Sequence, residues 1–501
     1  MHTSGFTEKS LFLIVSRIES KYRALIIPKT GWMVVYGIVV SVLIFIAFSN
    51  QAYDDPFITY RYAANILNGN GFVYNVGERV LSTTTPLFTL LLAISGSLWH
   101  DLPRLAVLLG AASLAAGGWL LWDLSRTWMT PVVGWAALVL YPTFPLLIAT
   151  LGSETPLYLA LCLAAFASYT HHRYTLTGLI AGLATLARPD GILVAVILAI
   201  HYLLRRRVAI PWLGISIFLA ILLGWGIFAW AYFGSPVPVT LAAKQQQGAM
   251  VISQRFAEGF LTVLRGYRSW LYLFEGLLAV LGVALAFYRR SPWLLVLSWT
   301  GLYFISYSLL GVSRYFWYYA PLVPGFVAAV GLGISTLNFR STISRDSSAA
   351  SLKWANFLVG FFLIILTFGQ LSSLWLARQQ PDNRYPVYRA VGQWLRSNTR
   401  TDQSVGALEV GIIGYYGGRP MVDFAGLIQP QLAARLTSGK DYEDAAIWAV
   451  KTYHPEYLVL QAGLFPRLEQ GFVKENCQKA HDFPGADYGY PANLYVFSCN
   501  R

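Results

Sequence analysis

Long apolar blocks alternate with short polar segments along residues 32–376. The blocks are roughly 15–24 residues long, close to the ~20 residues that cross a bilayer as an α-helix. Because they show little of the strict alternation of a transmembrane barrel, they predict a polytopic α-helical membrane protein. Eleven crossing helices are predicted, at 32–48, 105–122, 132–149, 157–169, 176–186, 192–204, 212–233, 271–288, 293–310, 317–337 and 354–376.

Residues 86–99 form one further apolar segment, which is short for a crossing. If this segment does not cross, the basic loops fall on the cytoplasmic side, as the positive-inside rule requires. Those loops contain Arg126, 171–173, 205–207, 289–290 and 340–353. We therefore predict that 86–99 does not cross, and a crossing remains the alternative.

The same arrangement places the polar segments with the most chemistry on the outer side. These segments are 54–55, 152–156, 188–191, 234–270 and 313–315. The choice of helix count depends on the basic loops alone, so the location of these segments on one side is an independent observation. We therefore expect them to form one site.

After residue 376 charged and polar residues become frequent, and no apolar block is long enough to span a bilayer. This region predicts a helix at 388–397, a helix ending at 450–453, and strands at 404–408, 457–461 and 493–498. The predicted domains are a basic cytoplasmic tail (1–31), a membrane domain (32–376) whose first external loop is 49–104, and an extracytoplasmic α/β domain (377–501).

The composition agrees with a membrane protein and excludes several other classes. Of 501 residues, 56% are hydrophobic and 12% are charged, against ~25% charged in soluble domains. The net charge of +13 lies mostly in short loops, which is typical of a topology signal and not of nucleic-acid binding. The sequence shows no phosphate-binding Gly loop, no Gly-x-Ser-x-Gly motif and no metal-ligand spacing.

Two adjacent carboxylates, Asp54 and Asp55, stand where the chain leaves the first predicted helix. A carboxylate at a membrane exit can act as the general base for a substrate hydroxyl. The neighbouring carboxylate would raise its pKa by repulsion or position it by hydrogen bonding. The sequence does not distinguish the two residues, and a solvated pair of loop acids is the alternative.

Other charged residues of the outer segments are candidates for anion binding. Lys244 follows two prolines and suits a phosphate, and Arg314 offers a planar fork of donors. The alternative to anion binding is a position at the membrane interface. Lys244 would then extend its ammonium toward water, and Arg314 would belong to an aromatic belt. Arg188 and Asp190 flank a proline and are also expected to pair with each other, while Glu154 also suits a helix start.

The C-terminal region contains two cysteines, Cys477 and Cys499. A disulfide between them is expected only if the region lies outside the cytoplasm, so the pairing stays open. The third cysteine, Cys162, lies in an apolar block and is interpreted as a small hydrophobic residue.

Several segments resemble a known family. Residues 54–65 read DDPFITYRYAAN, 69–80 read GNGFVYNVGERV and 85–87 read TPL. Shorter segments are GSETPL at 152, ARPDG at 187, GSPVP at 234, RYFWYYAPL at 314, GIIGYY at 411 and DFAGL at 423. Together they resemble GT-C fold membrane glycosyltransferases, in the bacterial branch that includes the mycobacterial terminal β-arabinofuranosyltransferases.

The resemblance implies an inverting transfer of a sugar from a polyprenyl-phosphate donor to a glycan, lipid or protein hydroxyl. It implies an active site on the outer face of a bacterial inner membrane, membrane lipid as a partner and no nucleic acid. It implies Asp54 as base, with Asp55 second, and Lys244, Arg314 and, more weakly, Arg188 as phosphate ligands. The expected substrate-binding residues are Tyr53, Tyr60, Arg61, Glu154, Asp190 and Tyr315. No metal site is expected, and a divalent cation as cofactor stays open.

One segment departs from the family pattern. Residues 82–85 read STTT where this branch usually has Gly-Tyr-Thr or a close variant. The hydroxyls suit a hexose or a pentose, so the sugar stays open, arabinofuranose included. The alternative functions are a transporter or binding protein for lipid-linked sugars and a catalytically inactive scaffold.

Overall fold

The structure is a computed structural model that describes residues 30–205, 209–250, 253–267, 269–343, 349–379, 382–436 and 441–499. The predicted cytoplasmic tail, 1–31, therefore lies outside the described residues except for its last two positions. The same holds for Arg206, Arg207 and residues 344–348 of the predicted basic loops.

The membrane part is helical. Its described helices are α1 (Thr30–Phe48), α2 (Asp54–Leu67), α3 (Pro86–Gly96), α4 (Leu102–Thr127), α5 (Pro131–Leu140), α6 (Pro145–Ala149), α7 (Thr155–Thr170), α8 (Tyr174–Ala187), α9 (Ile192–Leu204), α10 (Trp212–Phe233), α11 (Val239–Gly248), α12 (Phe256–Gly266), α13 (Trp270–Tyr288), α14 (Leu294–Leu310), α15 (Val323–Ile343) and α16 (Ala349–Arg378). Short 3-10 turns are Pro189–Gly191, Phe316–Tyr318 and Ala320–Leu322.

Six described segments are long and apolar enough to span a bilayer, and shorter apolar helices lie between them. The six are Gly31–Phe48, Leu102–Thr127, Trp212–Phe233, Trp270–Tyr288, Phe316–Thr336 and Asn356–Arg378. The protein is thus a multi-pass membrane protein. The number of eleven crossings stays a prediction.

Two predicted segments differ in the structure. The helix predicted at 132–149 is interrupted at 141–144 between α5 and α6, because Pro142 and Pro145 each lack a backbone donor. The segment at 86–99 forms α3, whose 11 residues rise only about 16 Å, roughly half the hydrocarbon thickness. This length favours the arrangement in which α3 does not cross.

Small residues allow the central helices to pack closely. A Cβ atom on Gly282 of α13 would lie 1.9 Å from the Ala329 carbonyl oxygen of α15, and one on Gly333 would lie 2.1 Å from the Leu278 oxygen. Such contacts are typical of helices in lipid, where packing replaces the hydrophobic effect between helices.

The predicted first external loop, 49–104, contains helices α2 and α3. Helix α2 is buried on most of its surface, although its residues are largely polar and aromatic. Its first residue follows Tyr53, whose side chain makes no capping bond. The helix start therefore has acidic residues in its first turn but no side-chain cap, and contacts with the rest of the protein stabilise α2.

The C-terminal region forms an α/β domain. Its elements are α17 (Arg384–Asn398), β1 (Val405–Ala407), α18 (Gly411–Gly417), β2 (Met421–Asp423), α19 (Pro430–Ala433), α20 (Glu443–Tyr453), β3 (Tyr457–Gln461), α21 (Pro466–Leu468), a π-helical turn (Glu469–Val473), α22 (Lys474–Asn476), β4 (Cys477–Phe483), a 3-10 turn (Gly485–Tyr488) and β5 (Leu494–Cys499).

The strands of this domain form one sheet in the order β2-β1-β3-β5-β4. Strand β1 is parallel to β2 and β3, and β5 is antiparallel to β3 and β4. The sequence patterns missed β2, which is three residues long, and β4, which is mostly exposed at the sheet edge. Cys477 and Cys499 are opposite each other on β4 and β5 and form a disulfide.

Candidate active site

A cavity of about 650 Å³ lies between α2, the residues 81–86 before and at the start of α3, the N-terminal ends of α7 and α9, and helix α11. Part of its lining is apolar and exposed on the outside of the helices. Those residues are Ile192, Val237, Leu241 and Leu310. The cavity therefore opens sideways beside surface that suits lipid tails.

An ion pair lies in the wall of this cavity. Lys244 Nζ on α11 is 2.5 Å from Asp55 Oδ2 on the first turn of α2. The ammonium also lies 5.0 Å from the ring centre of Tyr315 and 5.2 Å from that of Trp317. Burial lowers the pKa of Lys244, but Asp55 more than reverses this and raises it above its ordinary value. Lys244 is thus held in its charged form.

Asp54 faces the C-terminal domain and is not part of the cavity lining. Its Oδ2 accepts from Gly411 N at 2.8 Å, and its Oδ1 accepts from Ile412 N at 2.7 Å. Burial raises the pKa of Asp54 to about 6, against the lowering effect of these two N–H groups. Asp54 therefore joins α2 to the C-terminal domain.

Glu409 is a neighbour of Asp54 that the sequence patterns did not indicate. Burial, together with repulsion from Asp54, raises the pKa of Glu409 to about 8. Arg384 lies 3.5 Å from the Glu409 carboxylate. No local motif marks this glutamate, because it reaches the site only through the docking of the C-terminal domain.

Arg188 is fully occupied by partners within the protein. Its Nε and Nη2 atoms each donate to Asp190 at 3.1 Å, its Nη1 donates to Thr155 Oγ1 at 3.1 Å, and Nη2 also contacts Tyr307 OH at 2.9 Å. Glu154 lies 3.6 Å away. The predicted pairing with Asp190 is present, and it leaves the guanidinium little capacity for a phosphate.

Two of the residues predicted to bind substrate, Tyr60 and Arg61, have structural contacts instead. Tyr60 OH donates to the Gly152 carbonyl oxygen. Arg61 donates to the carbonyl oxygens of Gly414 and Arg419 at 2.8 and 2.6 Å, and so binds the C-terminal domain. Both side chains are buried, so neither is available to a ligand in this arrangement.

The remaining predicted residues divide between the cavity and the surface. Tyr53 lines the cavity and stacks on Trp317 with ring centres 5.3 Å apart. Tyr315 OH donates to Gln247 Oε1 at 2.7 Å, beside Lys244. Arg314 is exposed and outside the cavity lining, because the turn at 313–315 directs Tyr315 inward in its place.

Part of the cavity wall was not predicted as a binding surface. Thr240 lies one helical turn before Lys244 on α11 and lines the same cavity. The sequence signal that could have indicated Thr240 is its position four residues before Lys244, which puts both side chains on one face of a helix. Within the described residues no group of three or more His, Cys, Asp and Glu side chains has the arrangement of a metal site.

The chain is similar to known proteins both in sequence and in structure. A family model described as "Domain of unknown function (DUF8728)" matches residues 375–497. The terminal beta-(1->2)-arabinofuranosyltransferase of Mycobacterium tuberculosis (strain ATCC 25618 / H37Rv) is 30% identical over 272 residues, which is 48% of this chain and 41% of that protein. The match thus spans less than half the length of this relative.

Two solved structures are similar over most of the chain. ArnT from Cupriavidus metallidurans, bound to undecaprenyl phosphate, has 14% identity and a TM-score of 0.62, covering 94% of this chain and 98% of ArnT. The Archaeoglobus fulgidus oligosaccharyltransferase in the apo form has 15% identity and a TM-score of 0.56, covering 88% and 70%. The GT-C fold expected from the sequence motifs is confirmed.

Proposed function

We propose that this protein is an inverting glycosyltransferase that moves a sugar from a polyprenyl-phosphate donor to an acceptor hydroxyl. The observation that carries the proposal is the ion pair between Asp55 and Lys244 in the wall of the membrane-level cavity. It combines a carboxylate that can take a proton with an ammonium that can hold a phosphate. The GT-C fold and the arabinofuranosyltransferase relative support the reaction class.

The reaction is a single displacement. Asp55 takes the proton from the acceptor hydroxyl, whose oxygen forms a bond to the anomeric carbon. The bond between that carbon and the phosphate oxygen breaks, and its electron pair leaves with polyprenyl phosphate. Lys244 stabilises the negative charge that develops on the departing phosphate. Attack opposite the leaving group inverts the anomeric configuration.

Lys244 is the preferred phosphate ligand because it retains an unused donor. An ammonium has three N–H groups, and one of them is directed to Asp55. The apolar opening of the cavity suits the polyprenyl chain. ArnT, which binds undecaprenyl phosphate, has the same fold and supports this donor class.

Asp55 replaces Asp54 as the first choice for the base. The raised pKa of Asp54 suits a base, but position comes before pKa in assigning that role. Both carboxylate oxygens of Asp54 accept from the C-terminal domain, whereas Asp55 lines the cavity. Asp54 then positions the helix that carries Asp55.

We propose that the cavity and the C-terminal domain lie on the outer face of a bacterial inner membrane. The disulfide between Cys477 and Cys499 suits an oxidising compartment. Arg126 lies in the last turn of α4, and the basic residues 171–173 and 289–290 follow the ends of α7 and α13. The cavity, by contrast, lies at the starts of α7 and α9. This distribution agrees with the positive-inside rule.

The test uses purified protein in nanodiscs with polyprenyl-phosphate sugars, beginning with arabinofuranose. Glycan, lipid and protein acceptors are offered, and release of polyprenyl phosphate is followed for wild type, Asp55→Asn and Asp54→Asn. We expect Asp55→Asn to lower turnover by roughly 100- to 10,000-fold, since general-base catalysis contributes about that much. Donor binding should remain.

The outcomes separate the enzyme from a carrier. Turnover that survives in Asp55→Asn but is lost in Asp54→Asn would return the base to Asp54. Binding of lipid-linked sugar without release, equal in all three proteins, would contradict the enzyme and favour a transporter or binding protein.

A further inference from the structure

A second cavity, of about 240 Å³, lies at the other end of two helices that line the candidate active site. The active-site cavity is lined at the starts of α7 and α9, by Glu154 and Ile192, whereas this distal cavity is lined at their ends, by Tyr169 and His201. Helix α7 has 16 residues and is therefore about 24 Å long. The two cavities thus lie toward opposite faces of the membrane domain, and the proposed topology puts the distal cavity at the cytoplasmic face.

The wall of the distal cavity is rich in aromatic rings that carry polar groups. The Tyr174 ring lies 5.8 Å from that of Tyr169 and 5.3 Å from that of Tyr202, measured between ring centres. The His201 ring lies 5.5 Å from that of Tyr169, and Trp128 also lines the cavity. Such rings are typical of the membrane interface, where lipid headgroups meet the hydrocarbon.

Three side chains of this wall retain nitrogen atoms for a ligand. His172 Nδ1 lies 2.9 Å from Tyr174 OH, and His201 Nδ1 lies 2.7 Å from Tyr169 OH. A tyrosine hydroxyl that donates to Nδ1 leaves the imidazole hydrogen on Nε2, which then is a donor. Within the described residues neither Nε2 has a hydrogen bond, and the exposed guanidinium of Arg205 has neither a hydrogen bond nor an ion pair.

The distal cavity also lacks the negative charge of the active site. Among the residues that the structure describes, no Asp or Glu lines it. Asp123, at the same end of the helices, already pairs with His171 Nε2 at 2.7 Å. In the active-site cavity, by contrast, Lys244 and Arg188 both have carboxylate partners. An anion would therefore meet donors and positive charge in the distal cavity without displacing a carboxylate.

Arg205 decides the kind of anion that fits. It follows His201 by four residues at the end of α9, so the two side chains extend on the same side. A guanidinium forks onto two oxygens of a phosphate, and an imidazole N–H can reach a third. Basic pockets between transmembrane helices at the cytoplasmic face suit anionic lipid headgroups.

The surface beside the cavity is apolar. Leu203 and Leu204 are 68% and 77% exposed in the same last turn of α9. A phospholipid whose phosphate lay beside Arg205 would place its acyl chains along such surface. This arrangement favours a lipid over a free ion, although both would use the same donors.

We propose that the distal cavity binds a negatively charged phosphate group, carried by an anionic phospholipid or present as a free ion, through Arg205, His172 and His201. The site is separate from the sugar-transfer site and does not depend on the function proposed for it. It would couple the ends of α7 and α9 to the composition of the surrounding membrane.

The experiment measures both sources of phosphate. Native mass spectrometry of delipidated protein in detergent gives dissociation constants for phosphatidylglycerol, which is anionic, and for phosphatidylcholine, which is zwitterionic. In a second arm, the unfolding temperature in phosphatidylcholine nanodiscs is followed as inorganic phosphate is added. Both arms are repeated with Lys244→Met, which removes the phosphate ligand proposed for the active-site cavity.

The variants are Arg205→Gln, His172→Gln and the matched control Arg290→Gln. Arg290 is exposed shortly before Pro292, which lines the distal cavity, but Arg290 itself lies outside the lining. Arg205→Gln and Arg290→Gln remove the same charge from the same face, so the general attraction to anionic lipid falls equally in both. Any further loss in Arg205→Gln reports the cavity.

We expect wild type to bind phosphatidylglycerol more tightly than phosphatidylcholine. Arg205→Gln should weaken phosphatidylglycerol binding roughly tenfold more than Arg290→Gln, as expected for a hydrogen bond to a charged group. His172→Gln should weaken it roughly two- to tenfold. Without phosphate, Arg205→Gln and Arg290→Gln should unfold at the same temperature.

The two arms identify the source of the phosphate. A preference for phosphatidylglycerol that depends on Arg205 supports a phospholipid headgroup. A rise in unfolding temperature with inorganic phosphate that is lost in Arg205→Gln, without a lipid preference, supports a free ion.

Three results would overturn the proposal. Equal losses of affinity in Arg205→Gln and Arg290→Gln would reduce the effect to general surface charge. Tighter binding of phosphatidylcholine would mean that the aromatic rings select the choline cation. No response to either ligand would leave the cavity without a phosphate. None of these measurements involves sugar transfer, so their failure does not affect the proposed function.

Discussion

The cavity wall contains two ion-pair systems that differ in how fully their hydrogen-bond donors are used. Every nitrogen of Arg188 has a polar partner within the protein. Lys244 donates to Asp55 and also interacts with the Tyr318 hydroxyl, which still leaves one of its three N–H groups for a ligand. Both cations are paired with carboxylates, so they differ mainly in their spare hydrogen-bond capacity.

The comparison explains why a buried arginine is a poor guide to a phosphate site. Arg188 connects the start of α7 to the turn before α9 through Thr155 and Asp190. A phosphate would have to displace carboxylates that already match the guanidinium fork. Lys244, by contrast, would not have to release Asp55 to bind the phosphate of the proposed donor.

The first prediction tests the structural role of Arg188. Arg188→Met leaves Asp190 buried without its cation, which should lower the free energy of unfolding by roughly 3–5 kcal/mol. Thermal unfolding in nanodiscs measures the effect. The control is Arg104→Met, which breaks an exposed pair with Asp101 and should change stability by less than about 1 kcal/mol. A similar loss of unfolding free energy in Arg188→Met and Arg104→Met would contradict the structural role of Arg188.

The second prediction tests the spare donor of Lys244. Lys244→Met should weaken binding of polyprenyl phosphate by roughly 10- to 100-fold, the range expected for a hydrogen bond to a charged group. Arg314→Met is the comparison, because that side chain is exposed outside the cavity lining. Its affinity should stay close to that of wild type, and a larger loss in Arg314→Met would return the phosphate to Arg314.

The third prediction concerns pH and the two adjacent aspartates. Burial raises the pKa of folded Asp54 to about 6, above the ~3.9 of an unfolded carboxyl group. Asp54 therefore stays protonated to a higher pH in the folded state than in the unfolded state. The free energy of unfolding of wild type should fall by roughly 1–3 kcal/mol as pH rises from about 4 to 6. The stability of Asp54→Asn relative to wild type should rise over this window.

The readout is the unfolding temperature between pH 4 and 7. Asp482→Asn is the control, since this aspartate is exposed on β4 and should keep the wild-type profile. If the unfolding temperature of Asp54→Asn depends on pH in the same way as that of wild type, Asp54 is not the buried group that titrates.

The fourth prediction tests the contact between α2 and the C-terminal domain. A Cβ on Gly411 would lie 2.0 Å from the Asp54 carbonyl oxygen and 2.6 Å from Oδ2. Gly411→Ala should therefore destabilise the contact by about 1–3 kcal/mol and lower turnover through displacement of Asp55. Gly471→Ala is the control, because a Cβ there has no atom within 4 Å. Equal turnover in the two variants would make the contact irrelevant to catalysis.

The sequence by itself determined the class of the protein and grouped several of the residues that line the cavity. Apolar block lengths predicted a multi-pass helical membrane protein, and the first-loop motif indicated the GT-C fold. The distribution of basic loops brought together segments whose residues Asp55, Glu154, Arg188, Asp190 and Lys244 do line one cavity. These inferences succeeded because hydrophobicity and helix length act locally along the chain.

Only the tertiary structure showed which contacts distinguish the candidate residues. Asp54 and Asp55 are neighbours in sequence, but a helix turns about 100° per residue, so they face different surroundings. The C-terminal domain supplies the N–H groups of Gly411 and Ile412, more than 350 residues away along the chain, and thereby separates the two carboxylates. The partners of Arg188 and the exposure of Arg314 depend in the same way on which helices meet, which no local pattern records.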